Sequence, residues 1–273
     1  MNTITIRFYA ELNHFLPAHR RQVDFECACE SGTSSKHLVE ALGVPHTEID
    51  LILVTPEVPG GVSTVSGAHG APVDFSYLVQ DGDRISVYPV FESLDLSPLA
   101  RLRPQPLRQP RFVLDAHLGK LAVFLRMLGF DALYRNDYGD EELARISSQE
   151  QRILLTRDRG LLKRSLVTHG YCIRQDDPRQ QIVEVLQRFD LYRQVAPFQR
   201  CLRCNGLLET VDKDAVLDQL QPDTRQYFQE FRRCAACGHI YWKGSHYQRM
   251  QQMIESLTTP PSPGPFPEAG EGE

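Results

Sequence analysis

Residues 3–9, TITIRFY, alternate apolar and polar positions, the period of a strand buried on one face. QVDFECA (22–28) is a second strand candidate. TSSKHLVEALG (33–43) has a hydroxyl residue before its apolar positions and a glycine after them, and so reads as a capped helix ending at Gly43. DLILV (50–54) and RISVYPV (84–90) supply further strands, with a turn at QDGDR (80–84). Two strands, a helix and more strands make an α+β pattern. The rhythm changes after residue 110. Short apolar runs at RFVLD (111–115), DALYR (131–135), RILLT (152–156) and YCIRQ (171–175) alternate with longer helical patterns. Those patterns are HLGKLAVFLRMLGF (117–130), DEELARISSQE (140–150), GLLKRSLVTHG (160–170) and PRQQIVEVLQRF (178–189). The first places Leu118, Leu121, Ala122, Leu125 and Leu128 on one helical face. Four strand–helix units in sequence predict the α/β class, with a parallel sheet covered by helices on both faces.

Pro and Arg crowd SPLARLRPQPLRQP (97–110), a linker by composition, and TTPPSPGPFPEAGEGE (258–273) has the composition of a disordered tail. The expected organisation is therefore a small α+β domain over 1–96, a linker over 97–110, an α/β domain over 111–195, a cysteine-bearing module over 196–255 and a tail over 256–273.

Composition fits a soluble protein, with 41% hydrophobic and 24% charged residues. No apolar run approaches the roughly 18 residues of a membrane span. MNTITIRFYA lacks a basic stretch followed by an apolar core, so no secretion signal is expected and the compartment is read as cytoplasmic. Charge is unevenly spread. Residues 1–90 hold 5 basic and 11 acidic side chains, whereas residues 99–250 hold 25 basic and 18 acidic ones. A positive central and C-terminal region suits a polyanion such as nucleic acid.

Candidate chemistry lies at the strand ends. Sites in open parallel sheets form beyond the carboxyl ends of the strands. Asp115 follows RFVL, Asp158 comes two residues after RILLT, Asp176 follows YCIRQ, and Asp137 and Asp140 lie beyond DALYR. Carboxylates gathered at one edge repel one another unless a cation lies between them. Oxygen donors without thiolates or imidazoles select Mg²⁺ or Mn²⁺, which serve phosphodiester hydrolysis. Lys120, Arg126, Arg157 and Arg159 are candidate phosphate contacts. Aspartate is also a favoured helix cap, and Asp177 before Pro178 fits that role best. Arg157 and Arg159 have an alternative use as ion-pair partners of Asp158.

FVLDAHLGKLAVFLRMLGFDALYRND, DEELARI and RILLTRDRGLLKR together resemble the Mut-seven C-terminal RNase family. The resemblance implies a PIN-type fold and a metal-dependent ribonuclease built on clustered acidic residues. Its acidic positions fall on Asp115, Asp140 and Asp158, with Asp176 a fourth member. One departure is LAVFLR, where Val123 and Phe124 stand in place of a basic and an aromatic residue. The first 96 residues, down to DGDRISVYP, resemble the β-grasp fold of ubiquitin-like MoaD/ThiS sulfur carriers. Those carriers act through a terminal Gly-Gly. Here the Gly60–Gly61 pair is internal, which argues against sulfur-carrier chemistry and for a module that meets a protein partner.

CLRCNGLL (201–208) and CAACGHIYWKGSHY (234–247) pair Cys201 with Cys204 and Cys234 with Cys237. Four thiolates in two CxxC knuckles predict one tetrahedral Zn²⁺ with a closed shell, hence structural. YWKGSHY mixes aromatic and basic groups, as single-stranded RNA binding uses. His246 is a candidate substrate contact. The expected function is hydrolysis of single-stranded or structured RNA by an aspartate-bound cation. The rival is an RNA-binding adaptor without catalysis.

Overall fold

The computed structural model describes residues 1–56, 70–90, 102 and 109–258. The Gly60–Gly61 pair, most of the linker and the tail beyond Thr258 lie outside the described residues.

The chain divides into two compact units, Met1–Gly119 with Tyr134–Arg174, and Lys120–Leu133 with Gln175–Glu273. The first begins with strands β1 (Asn2–Phe8) and β2 (Phe25–Cys29), helix α1 (Ser35–Ala41), and strands β3 (Ile49–Thr55), β4 (Ala71–Val73) and β5 (Arg84–Pro89). They form a five-stranded sheet in the order β2-β1-β5-β3-β4. β1 pairs antiparallel with β2 and parallel with β5. The alternation of TITIRFY buries Ile4, Ile6 and Phe8, which join Ile52, Val54, Ile85 and Val87 in the core. Ser34 caps α1 by accepting the His37 N–H at 3.2 Å, and Gly43 takes the left-handed conformation (φ +100°) just past its end.

After the linker come β6 (Phe112–Leu114), α2 (Gly119–Met127), β7 (Ala132–Tyr134), α3 (Asp140–Gln149), β8 (Ile153–Thr156), α4 (Arg159–Leu162), β9 (Gly170–Cys172) and α5 (Pro178–Arg188). The second sheet has the order β7-β6-β8-β9, with β6, β8 and β9 parallel. Every residue of β6 and β8 is buried, as expected of strands covered on both faces. α3 and α4 pack against this sheet. The helix expected over 160–170 is only the single turn of α4. Gly170, read from sequence as a helix stop, is instead the first residue of β9, where a Cβ would lie 2.6 Å from the Leu162 side chain. Close approach, not a left-handed turn, is what that glycine permits.

The second unit carries α2, α5 and a small antiparallel sheet, β10 (Leu208–Val211), β11 (Phe231–Cys234) and β12 (Ile240–Trp242), with α6 (Pro222–Tyr227) and a closing helix α7 (Ser245–Thr258). Val216, Leu220, Phe231 and Ile240 form its compact core. α7 runs into the segment read from sequence as tail. Gly129 (φ +98°) ends α2, and a Cβ there would meet the Ala196 carbonyl oxygen at 2.1 Å. That close approach lets Ala196 and Phe198 donate to the carbonyls of Leu128 and Met127, joining α2 to the segment leading into the cysteine module. Among the described residues no helix is long and apolar enough to cross a membrane.

Candidate active site and metal centre

Parallel register sets the aspartate edge. Leu114 lies beside Leu155, and the Asp115 N–H donates to the Leu155 carbonyl at 3.1 Å, so the chain leaves β6 with Asp115 next to Thr156. The Thr156 hydroxyl donates to Asp115 Oδ2 at 2.7 Å, and its oxygen accepts the Asp158 N–H at 2.9 Å. One buried hydroxyl therefore ties together the ends of two neighbouring strands. Asp158 also caps α4, accepting the Gly160 N–H at 2.7 Å, so the capping role and the edge position coexist in one residue. Asp177 caps α5, accepting the Arg179 and Gln180 N–H groups, as the Asp-Pro pair predicts.

The other carboxylates stand differently. Asp140 is exposed at the first turn of α3, and Arg164 Nη2 lies 3.9 Å from its Oδ2. Asp137 is exposed, and the Arg135 guanidinium that binds it holds its carboxyl below the usual range. Asp176 is exposed in the second unit, just ahead of α5. Asp115, Asp140 and Asp158 do not bring three oxygens within 4.8 Å of one another; among the described residues the four cysteines are the one such grouping of donors.

Of the expected phosphate contacts, Lys120 and Arg157 are exposed. Arg159 Nη1 donates to the Phe15 carbonyl at 3.3 Å, with the guanidinium 5.0 Å from the Phe15 ring centroid. His246 is exposed at the start of α7. Arg126 departs from the sequence reading. It is 3% exposed, its Nε donates to the Ala132 carbonyl at 2.9 Å, and its Nη1 donates to the carbonyls of Leu202 and Arg203 at 3.1 Å. A guanidinium committed to three main-chain carbonyls does not reach a phosphate in solvent. Arg126 is a clamp on the first cysteine knuckle, and its assignment as a substrate contact is corrected.

The two knuckles repeat one local geometry. Cys201 and Cys234 each accept, at their carbonyls, the N–H of the residue four positions on, Asn205 and Gly238, both at φ +72°. Cys201 and Cys234 also each donate, through their N–H, to the carbonyl five positions on, at Gly206 and His239. The result aims all four sulfurs at one point. Cys201 Sγ lies 3.7 Å from Cys237 Sγ and Cys204 Sγ lies 3.4 Å from Cys234 Sγ. Tetrahedral Zn–S bonds of about 2.3 Å imply sulfur separations of about 3.8 Å, so the quartet fits a zinc ion. All four thiols are free. Burial raises Cys201, but hydrogen bonds from Tyr241, Cys204 and Arg203 outweigh it and bring its thiol down to about 7. Burial, with neighbouring thiols, pushes Cys204 up to about 12. A crowd of thiols that cannot all ionise alone is what a divalent cation resolves. Two supports were not foreseen from sequence. The Tyr241 hydroxyl lies 3.1 Å from Cys201 Sγ while accepting the Leu202 N–H, and Asn205 bridges Ala132 N–H and Asp131.

The same unit holds a cavity of about 530 Å³ whose walls include Phe198, Arg200, Lys213, Arg232, Trp242 and Lys243. Trp242 is 40% exposed.

Residues 110–254 match the family model described as the Mut7-C RNAse domain, and residues 1–95 match the one described as Mut7-C ubiquitin. No curated protein and no solved structure matches the chain.

Proposed function

Because the chain belongs to the Mut7-C RNAse domain family, with a Mut7-C ubiquitin domain in front, we propose that it is a metal-dependent ribonuclease hydrolysing RNA phosphodiester bonds. The observation that carries this reading is the juxtaposition of Asp115 and Asp158 at the carboxyl ends of β6 and β8, joined through Thr156. In this reading 111–195 is a PIN-like nuclease domain, 196–255 is a zinc ribbon and the protein works in the cytoplasm.

Asp115 and Asp158 would hold Mg²⁺ or Mn²⁺, and their hard oxygens fit those ions. Bound there, the ion would supply charge neutralisation and Lewis acidity at the scissile phosphate. The chain's own contribution is orientation. Thr156 fixes the Asp115 carboxylate by donating to its Oδ2. Arg157, exposed beside Asp158, offers a guanidinium to phosphate oxygens. Asp140, exposed at the first turn of α3 with Arg164 3.9 Å away, would be the third carboxylate of the set. Asp176, Lys120, Arg159 and His246 remain candidates for the same chemistry. The zinc ion would brace the ribbon, its four-thiolate shell leaving no open position for substrate.

The test is cleavage of labelled single-stranded RNA with Mn²⁺, with and without EDTA, by the full chain and by Asp115→Asn and Asp158→Asn. Loss of cutting in both variants, with melting curves unchanged, supports the scheme. Full activity in either sinks it. A second reading has its own observation, the aromatic and cationic cavity beside Trp242, which suits strand binding without cleavage. RNA retention by an inert wild-type protein, lost in Trp242→Ala, would favour that adaptor role.

A further inference from the structure

The segment that follows Asp158 is poorly equipped to hold itself. α4 is four residues long, residues 163–169 form no further helix or strand, and β9 is the outer strand of its sheet. Single helical turns are marginal, and an outer strand leaves N–H groups unpaired. The N-terminal domain supplies what is missing. The Phe15 ring faces the guanidinium groups of Arg159 and Arg174 at 5.0 and 5.7 Å, and the Phe15 carbonyl accepts from Arg159. Lys163 donates to the Glu40 carbonyl at 2.6 Å, and His46 Nε2 lies 3.0 Å from the Val167 carbonyl oxygen. Glu48, 1% exposed, accepts the Cys172 N–H at 2.7 Å and lies 4.0 Å from Arg174. These contacts recur along the chain from Arg159 to Arg174. They also lead to the aspartates, because Cys172 is the register partner of Thr156, whose hydroxyl links Asp115 and Asp158.

We propose that the N-terminal domain is a resident positioning element for the aspartate edge, with Glu48 and Phe15 as its positioning residues. Glu48 supplies the missing partner on the open side of β9. Phe15 gathers the two arginines that flank the segment. The proposal rests on the nuclease reading for its consequence, since the geometry it preserves is that of Asp158. It goes beyond that reading by giving the ubiquitin-like domain work inside its own chain. Glu48 and Phe15 act through β9 and Arg159 and touch no reacting atom.

The experiment compares full-length wild type with Glu48→Ala, Glu48→Gln and Phe15→Leu, by peptide-resolved hydrogen exchange and by RNA cleavage with Mn²⁺. Glutamine keeps an acceptor oxygen for Cys172, whereas alanine removes it. In Glu48→Ala, amides in 157–172 should exchange at least about tenfold faster, while 231–242 in the ribbon stays at the wild-type rate. kcat should fall with little change in KM, and Glu48→Gln should restore most of both readouts. Unchanged exchange in 157–172, or equal acceleration in every peptide, overturns the proposal. If Glu48→Ala does not fold, Phe15→Leu decides, since it removes the aromatic face and keeps an apolar side chain; wild-type exchange there overturns the proposal too. The exchange measurement stands even if wild type cuts no RNA, so failure of the nuclease reading and failure of the positioning role are told apart.

Discussion

Thr156 donates its hydroxyl proton to Asp115 at 2.7 Å from a position with no exposed surface. The same oxygen receives the Asp158 N–H, so one hydroxyl holds the Asp115 carboxylate and the Asp158 backbone together. Replacing it by valine conserves shape and removes both bonds. Groups that orient metal-binding carboxylates typically cost about 10–100-fold in activity or metal affinity when removed. Thr156→Val is therefore expected to lower cleavage by that range and to raise the Mn²⁺ concentration needed for half activity. Thr156→Ser keeps the hydroxyl and should retain most activity. Equal activity in valine and serine variants would show that the hydroxyl orients nothing that matters to the reaction.

Arg126 gives a prediction of the opposite kind. Three carbonyls depend on its guanidinium, two of them on the residues between Cys201 and Cys204. Buried hydrogen bonds from a charged donor contribute about 1.5–3 kcal/mol each, and truncation strands their partners. Arg126→Ala should destabilise the protein by roughly 2–4 kcal/mol and weaken zinc retention. The KM for RNA of the folded fraction should not change. Thermal melting, zinc content after dialysis against a chelator, and KM separate the two roles. A raised KM with normal zinc content would return Arg126 to the substrate.

How much of this was legible in the sequence depends on the range of the interaction. The alternation of TITIRFY and the apolar runs VL, ILLT and YC are local patterns, and each became a strand. The CxxC spacing carries its own geometry, so the metal quartet followed from residue types alone. Arg126 was misread because its helix face says nothing about carbonyls 76 and 77 residues away. The helix expected over 160–170 shrank to α4 for a related reason. Lys163, Val167 and Gly170 are tied to Glu40, His46 and Leu154, and those tertiary bonds outweigh local helical preference. Thr156 reads in sequence as one more β-branched strand residue. Its hydroxyl becomes informative only when β6 lies beside it.

Zinc removal should act on the second unit. The ribbon's compact core is small, centred on Val216, Leu220, Phe231 and Ile240, and closed Cys₄ sites contribute folding free energy directly. Cys201→Ser with Cys234→Ser should release zinc and make the amides of 208–242 exchange rapidly, while β1 and β5 keep their protection. Retained protection across 208–242 without zinc would mean that the apolar core suffices.

His46 makes stability depend on pH, with a definite sign. Its ring is buried between Glu40, 2.7 Å from Nδ1, and the Val167 carbonyl, 3.0 Å from Nε2, with the Phe75 ring edge-on at 5.8 Å. Burial, reinforced by the positive charge of Lys36, holds its pKa below the ordinary 6.5, although Glu40 and the Val167 carbonyl pull the other way. In the unfolded chain the imidazole takes up its proton near 6.5; in the folded chain it does so only at lower pH. Between those two values the unfolded state binds more protons, so stability rises with pH across the window. The contribution of neutral His46 is complete above 6.5, declines as pH falls through the window, and changes no further below the folded pKa. The melting temperature of the full chain should drop on acidification from pH 7.5 to 5, and His46→Gln should flatten that drop. Parallel pH profiles for the two proteins would show that the imidazole keeps its ordinary affinity for the proton when folded.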